Sequence, residues 1–410
     1  YIISNEAFWG INKDIVNKLK FKATYGMVGN DQIGEPTDRF FYLSNVNLNN
    51  GDKGYSWGTN FDYNVTGVST SRYADPFITW ETSYKQNYCF ELGLFNKIEL
   101  QGDFFIERRK KILQNRASIP TTMGLQSAPQ ANIGETKGSG FELSLDYNEV
   151  INKDFWITAR GNFTYAKAKY VVFEEPNYFD SPWRRITGSQ LGQGRGLIAE
   201  RLFVDDEDVR NSPRQDFGAY TAGDIKYKDI NNDGIINAKD VVPIGYPTSP
   251  EIIYGLGFSI GYKSFDFSSF FQGSARSSFW IDTTGDDHIS PFGGERALLK
   301  VIADDHWSET DRNIRAFWPR LSVGGMSNNN QRSTWFMRDG SFLRWKSAEL
   351  GYTLPKDISR KARVEVARLY LSATNLLCFS KFKLWDPEMA GNGLGYPLQR
   401  VINIGINLTF

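Results

Sequence analysis

The chain has only two histidines, His288 and His306, and only two cysteines, Cys89 and Cys378, in 410 residues. Cysteines that far apart in sequence make neither a disulfide framework nor a metal-ligand spacing, and the histidines lie far from both. Neither a zinc site nor a Cys–His nucleophile is therefore expected. Cys89 falls in an alternating stretch and Cys378 in an aromatic one, and both are expected to be free, structural thiols. No carboxylate pair or Ser–His–Asp set stands out, so no enzyme is expected. The sequence has no excess of either charge: Lys plus Arg and Asp plus Glu number 47 each, which points toward neither nucleic acid nor an anionic surface. It also lacks any apolar run approaching the roughly 18 residues of a spanning helix, and its mean hydropathy is −0.43. Both argue against a helical membrane protein. They do not exclude a membrane barrel, whose lumen and loops are polar. The residues from Tyr1 do not read as a signal peptide and open in mid-pattern, so the expectation is a chain whose leader was removed by processing or the later portion of a longer polypeptide.

What is abundant is aromatic and glycine: 30 Phe, 20 Tyr, 11 Trp and 38 Gly. The clearest pattern is at residues 400–410, where Ile402, Ile404, Ile406, Leu408 and Phe410 alternate with Val401, Asn403, Gly405, Asn407 and Thr409. Period-two alternation marks a strand whose faces meet different solvents. Such a strand suits the edge of a soluble sandwich, and it is also long enough to cross a bilayer when tilted, which takes about 9–11 residues.

The connections between repeats of this pattern separate the two readings. Further strands are expected near residues 16–26, 83–95, 98–112, 139–147, 155–172, 254–262, 265–271, 335–352 and 364–374. In the eighth of these the apolar parity slips between Trp345 and Ala348, as a β-bulge would make it. Short turns are expected at Asn96-Lys97, 148–154, Lys263-Ser264 and a basic segment 355–361, and long polar stretches at 30–80, 114–138, 173–251, 273–333 and 375–399. Long and short connections alternate along the whole chain. A sandwich has no reason to segregate loop length by end, whereas an outer-membrane barrel has short periplasmic turns and long extracellular loops. Trp80, Tyr165 and Trp335 stand near strand ends, suited to interfacial girdles. In water so much apolar strand surface would aggregate; in hydrocarbon, closure satisfies every backbone group. The expected fold class is all-β, an antiparallel transmembrane β-barrel. Ten strands are enough to close alone, but loops this large suit the C-terminal part of a barrel of about 22 strands.

Several motifs carry a resemblance. Residues 342–346 read F-L-R-W-K, residues 350–355 L-G-Y-T-L-P, residues 375–377 N-L-L followed by W-D-P-E at 385–388, and the chain closes on N-L-T-F at 407–410. Together they resemble the SusC/RagA family of TonB-dependent outer-membrane transporters of Bacteroidetes. Residues 132–142, N-I-G-E-T-K-G-S-G-F-E, are similar to the family's N-x-G-x-x-x-N-x-G-x-E segment, with Gly138 in place of the second Asn, which puts one turn contact in doubt. The resemblance runs along the chain but corresponds to the C-terminal part of the family's barrel. It implies import of a nutrient such as an oligosaccharide or peptide, a SusD-like surface lipoprotein over the extracellular loops, outer-membrane lipid around the wall, and TonB acting through a region not represented here. The alternative is a non-transporting structural or adhesive outer-membrane barrel.

One loop carries metal-type spacing. From Asp229 to Asp240, oxygen-bearing side chains stand at loop positions 1, 3, 5, 9 and 12, namely Asp229, Asn231, Asp233, Asn237 and Asp240, with Gly234 at the sharp turn and Ile235 supplying a carbonyl. This is EF-hand-like spacing, which wraps hard oxygens around one point, so calcium is expected as a structural clip; the shorter Asp at position 12 implies modest affinity. An Asx-rich turn without metal is the alternative. The acidic run at 205–208 is expected to be a solvated loop face. Trp183, Trp307, Trp318 and Trp385 suit either stacking on sugar rings or packing of the loops. The glycine-rich 192–196 segment lacks the strand and helix that a phosphate cradle needs.

Overall fold

The computed structural model describes residues 1–33, 40–283, 289–292, 298–361 and 363–410. Ten strands form one antiparallel sheet in strict chain order: β1 (Val16–Asn30), β2 (Glu81–Leu94), β3 (Ile98–Asn115), β4 (Gln130–Asn152), β5 (Phe155–Val172), β6 (Ile252–Tyr262), β7 (Phe265–Ala275), β8 (Phe342–Thr353), β9 (Val366–Ser380) and β10 (Val401–Thr409). All the expected strands are present and each pairs with its neighbour in sequence. The sheet is an up-and-down meander, the arrangement that lets spanning strands satisfy their backbone groups on one another.

The register explains why the alternation exists. One cross-strand row reads Leu19, Leu92, Leu100, Leu145, Gly161, Leu256, Phe271, Trp345 and Leu377. The row one residue over reads Lys20, Glu91, Gln101, Ser144, Asn162, Gly255, Gln272, Arg344 and Cys378. The sheet thus has an apolar face and a polar face. Apolar side chains on the first face are left open, with Phe21 at 49%, Leu256 at 51% and Leu371 at 44% exposure. A glycine in the rows is filled by a neighbour: a Cβ on Gly102 would lie 2.2 Å from the Phe90 ring.

The two ends of the sheet differ as the loop lengths imply. At one end Phe95 and Asn96 take left-handed conformations (φ 55° and 53°) to turn β2 into β3, and Lys263 (φ 52°) does the same between β6 and β7. Between β8 and β9 the basic segment is not a plain turn but contains an α-helix, Lys356–Lys361. The bulge lies where the parity slips. Lys346 falls between the pairs Trp345–Leu377 and Ser347–Thr374, facing Asn375 (φ 54°) and Leu376, so Trp345 and Ala348 both keep the apolar face.

Several strands run past their expected ends, β1 to Asn30, β4 to Asn152 through most of the expected 148–154 turn, β7 to Ala275 and β9 to Ser380, and four further features differ from the sequence reading. β4 starts at Gln130, so the loop before it is only 116–129 and Gly138 sits inside a strand, opposite Glu107 and Ala168, rather than in a turn. β8 starts at Phe342, not at Trp335, whose indole donates to the Phe317 carbonyl (3.0 Å) within the loops rather than standing in an interfacial girdle. β9 starts at Val366. The expected polar stretch between β1 and β2 contains a hairpin, Asn45–Trp57 with Tyr63–Arg72, which its run of Asn and Gly residues, poor strand formers, concealed.

The buried core is not in the sheet. Leu197, Leu202, Ile225, Tyr227, Ile236, Phe279, Trp307, Trp318, Phe336 and Phe382 form one cluster, and all belong to the long connections at the other end of the strands. This cap has small sheets of its own: Ala199–Leu202 with Ile225–Tyr227, Arg195–Gly196 with Val242–Pro243, and Ser278–Trp280 with Met337–Asp339.

Candidate functional site

The cap over the strand ends is assembled from three connections, each tied to the next by buried polar contacts. Residues 173–251 and 276–341 meet at Asp224, which is fully buried. Its carboxylate accepts from Arg320 Nε and Nη2 (3.2 and 3.0 Å) and from Asn329 Nδ2 (2.9 Å). Beside it Gln215 donates to Asn328 Oδ1 at 2.7 Å, and the Tyr227 hydroxyl donates to the Asn328 carbonyl at 2.7 Å. With the Thr221 N–H as a fourth donor (2.8 Å), the charge of this buried carboxylate is fully met.

The third connection, 381–400, is clamped to the wall. Arg344, 3% exposed on the polar face of β8, donates to both oxygens of Asp386 (2.6 and 2.8 Å) and to Glu388 (2.7 Å). The F-L-R-W-K and W-D-P-E segments are therefore two halves of one ion-pair cluster. The Trp385 indole donates to the Ala390 carbonyl (2.8 Å), holding Ala390 at φ 50° and ψ −126°, a conformation that L residues rarely adopt. Between this connection and the 276–341 one lies a cavity of about 390 Å³, bordered by Trp280, Thr283, Asn330, Arg332 and Phe336 and by Asp282, which has a partner of its own.

The acidic run is not merely a solvated face. Asp205 caps a short helix, Asp206–Arg210, by accepting from the Asp208 N–H, while Asp208 accepts from Arg201 (2.5 and 2.9 Å) and Lys226 (3.1 Å). The Arg201 guanidinium in particular holds the Asp208 carboxyl well below the usual carboxylate range. Of the loop tryptophans, Trp307 and Trp318 lie in the buried cluster and Trp385 packs on it, and Trp183 donates to the Lys239 carbonyl (2.7 Å); they pack the loops. Burial pushes Arg338 down to about 10, and it donates to the Trp335 and Met337 carbonyls.

The 229–240 loop closes on itself. Asp229 accepts from Asn232 N (2.7 Å) and Gly234 N (2.9 Å), and Asp233 from Ile235 N (2.9 Å) and Asn231 Nδ2 (2.8 Å). Asp240, fully buried, accepts from Ile230 N and Asn237 N at 2.8 Å each, and Asn237 caps the following turn through Lys239 N. Gly234 has φ 80°, the conformation its position in the spacing requires. The bond from the Ile235 N–H holds the Asp233 carboxyl below its ordinary range. Among the described residues no three His, Cys, Asp or Glu side chains form a metal cluster. The donors nonetheless suit a hard cation: three carboxylates, two amide oxygens and the Ile235 carbonyl, each bonded carboxylate oxygen keeping a further lone pair.

The polar face of the sheet carries its own pairs: Glu91 meets Lys18 (2.9 Å) and Lys22 (2.7 Å), Asp146 meets Arg160 (2.5 Å), and Arg368 bridges Asp266 and Glu349. Cys89 and Cys378 are free thiols on this face. His306 Nδ1 lies 2.8 Å from the Ala303 carbonyl, while His288 lies outside the described residues. The arrangement is a wall with a polar inner surface, roofed by ordered loops that border an open cavity lined by both polar and apolar residues. Sequence reasoning missed Arg344, Asp224 and Arg332. Arg344 was visible as a charge at a position opposite apolar neighbours in a quoted motif; nothing local marks the other two.

No family model matches the chain. Its curated relatives include TonB-dependent receptor P26 of Formosa agariphila, 28% identical over 435 residues that cover 100% of this chain and 41% of that protein. They also include TonB-dependent receptor SusC of Bacteroides thetaiotaomicron, 23% identical, covering 97% of this chain and 38% of that protein. Among solved structures, the RagAB peptide transporter superposes with a TM-score of 0.71 at 22% identity, over 100% of this chain and 42% of that one. The chain thus spans about two-fifths of the length of these relatives. The fold is that of the C-terminal part of a SusC/RagA-type barrel, and the resemblance seen in the motifs extends along the whole chain.

Proposed function

We propose that this chain forms the C-terminal wall and roof of an outer-membrane barrel that imports a nutrient, such as an oligosaccharide or peptide, in a TonB-dependent manner. The observation that carries the reading is the division of the sheet into an open apolar face and a charged, paired polar face, beneath loops that fold into a cap. A solute-conducting barrel in lipid needs each of these. The relatives' names support TonB dependence. A SusD-like surface lipoprotein over the cap and TonB acting through a region outside this chain complete the assembly we envisage, and neither reading calls for catalysis. The test is uptake: cells lacking the intact protein should lose growth on its nutrient, and cells lacking TonB should lose it equally. Normal uptake of every oligosaccharide and peptide offered, with defective adhesion instead, would favour a structural or adhesive barrel.

We further propose that Asp229, Asn231, Asp233, Ile235, Asn237 and Asp240 hold calcium as a structural clip on the 173–251 connection. Their all-oxygen chemistry and the turn at Gly234 support it. Calcium titration calorimetry on the wild type and on Asp229→Ala plus Asp233→Ala decides it, since equal heats would leave only an Asx-rich turn.

A further inference from the structure

The cavity between the 276–341 and 381–400 connections contains a feature that nothing in the import reading requires. Arg332 is exposed and borders it, with the guanidinium stacked 4.1 Å from the centroid of the Trp280 ring. Arg320 and Arg201 of the cap pair with Asp224 and Asp208, and Arg344 of the wall with Asp386, while Arg195 and Arg338 of the cap donate to backbone carbonyls. Arg332 does neither: among the described residues its guanidinium neither forms an ion pair nor donates a hydrogen bond.

Its platform is fixed on both sides. The Trp280 indole donates to the Ser333 carbonyl at 3.0 Å, and the ring lies against Gly194, where a Cβ would come within 2.2 Å of it. The Arg332 backbone is pinned as well, its carbonyl accepting from Leu197 N at 2.9 Å. Stacking a guanidinium on an indole holds its plane while leaving its N–H groups free at the edge, and that planar fork matches a carboxylate with two parallel hydrogen bonds. Arg332 thus covers one face of the Trp280 ring, and Gly194 lies against its edge. Nearby, the Thr283 hydroxyl donates to Asn330 Oδ1 at 3.0 Å, leaving the Asn330 amide hydrogens as further donors on the cavity rim.

We propose that this cavity is a binding subsite for a carboxylate on the ligand, with Arg332 as its charged contact, positioned by Trp280. The proposal rests on the import reading and narrows its substrate class to acidic ligands, either a uronic-acid oligosaccharide or a peptide with a free C-terminus.

The test is calorimetric titration of the intact protein in detergent with two matched pairs: trigalacturonate against maltotriose, and acetyl-triglycine against acetyl-triglycinamide. The expected result is binding of at least one carboxylate ligand about tenfold or more tighter than its neutral partner, as one charge-assisted hydrogen bond supplies. Arg332→Gln should abolish that preference without changing the neutral ligand's affinity or the unfolding midpoint, and Arg332→Lys should retain part of it. A response from trigalacturonate alone assigns a sugar acid, and one from acetyl-triglycine alone a peptide. A wild type that does not distinguish either pair, or an Arg332→Gln protein that still does, overturns the proposal. TonB-dependent uptake by cells would then stand or fall separately, because binding in detergent needs no energy coupling.

Discussion

The wall and the cap bury their apolar residues in opposite ways. In the wall, Phe21, Tyr88, Leu256 and Leu371 are each about half exposed, and Cys89 and Ala367 are among the few strand positions counted as buried apolar residues. In the cap, Leu202, Phe203, Ile225 and Trp318 are fully buried around a cluster of fifteen buried residues. The two regions obey one rule under different solvents: apolar groups leave water. The cap does so by folding inward, as a soluble domain does. The wall does so by turning outward, which lowers free energy only if something apolar lies beyond it.

Substitutions that treat the two regions alike should break this contrast. The largest effect expected is in the cap. Trp318→Ala removes a fully buried indole that donates to the Val301 carbonyl (3.0 Å), and costs about 3–5 kcal/mol. Hydrogen exchange should show the loss at Leu202, Ile225 and Phe336 while β2 to β5 stay protected; equal loss in both regions would mean that they form one core. Next is the wall, where Leu256→Arg on the apolar face should cost about 2–4 kcal/mol near the bilayer midplane, whereas Ser259→Arg on the polar face should be nearly neutral. Urea unfolding in lipid vesicles compares the two. Arg344→Met should cost about 2 kcal/mol, by leaving Asp386 and Glu388 without their cation, and should loosen 381–400 to protease without lowering barrel assembly.

The smallest effect is acid sensitivity at Asp208. Its folded-state pKa is depressed, so the stability it confers is complete above the unfolded carboxylate pKa, about 3.9, and fades only as pH falls below that toward the folded value. The protection factor at Ile225–Tyr227, exchange measured relative to the intrinsic rate at each pH, should be unchanged between pH 7 and 5 and should fall only below about pH 4. In Asp208→Asn it should be lower at pH 7 already.

The wall was legible in the sequence because its information is local. A strand between two solvents must alternate, so Leu256, Phe258 and Ile260 declared their face without reference to any partner, and the parity slip at Trp345–Ala348 located the bulge. Loop lengths gave the two ends. The cap was not legible as a folded unit, because its contacts join residues a hundred positions apart: Asp224 with Arg320, Tyr227 with Asn328. Trp335 was misplaced for the same reason, an aromatic near a strand that belongs to the cap. The 229–240 loop lies between these cases, its turns written in adjacent Asp and Asn residues.

The outward orientation of the wall's apolar face can be read directly with a spin label. With Cys89 and Cys378 replaced by alanine, single cysteines at 256 and 259 in the intact protein are labelled, reconstituted in lipid vesicles, and probed with oxygen and with a water-soluble nickel chelate. The label at 256 should be relaxed strongly by oxygen and little by nickel, and the label at 259 the reverse. A label at 256 shielded from oxygen, as a protein core would shield it, would contradict the account.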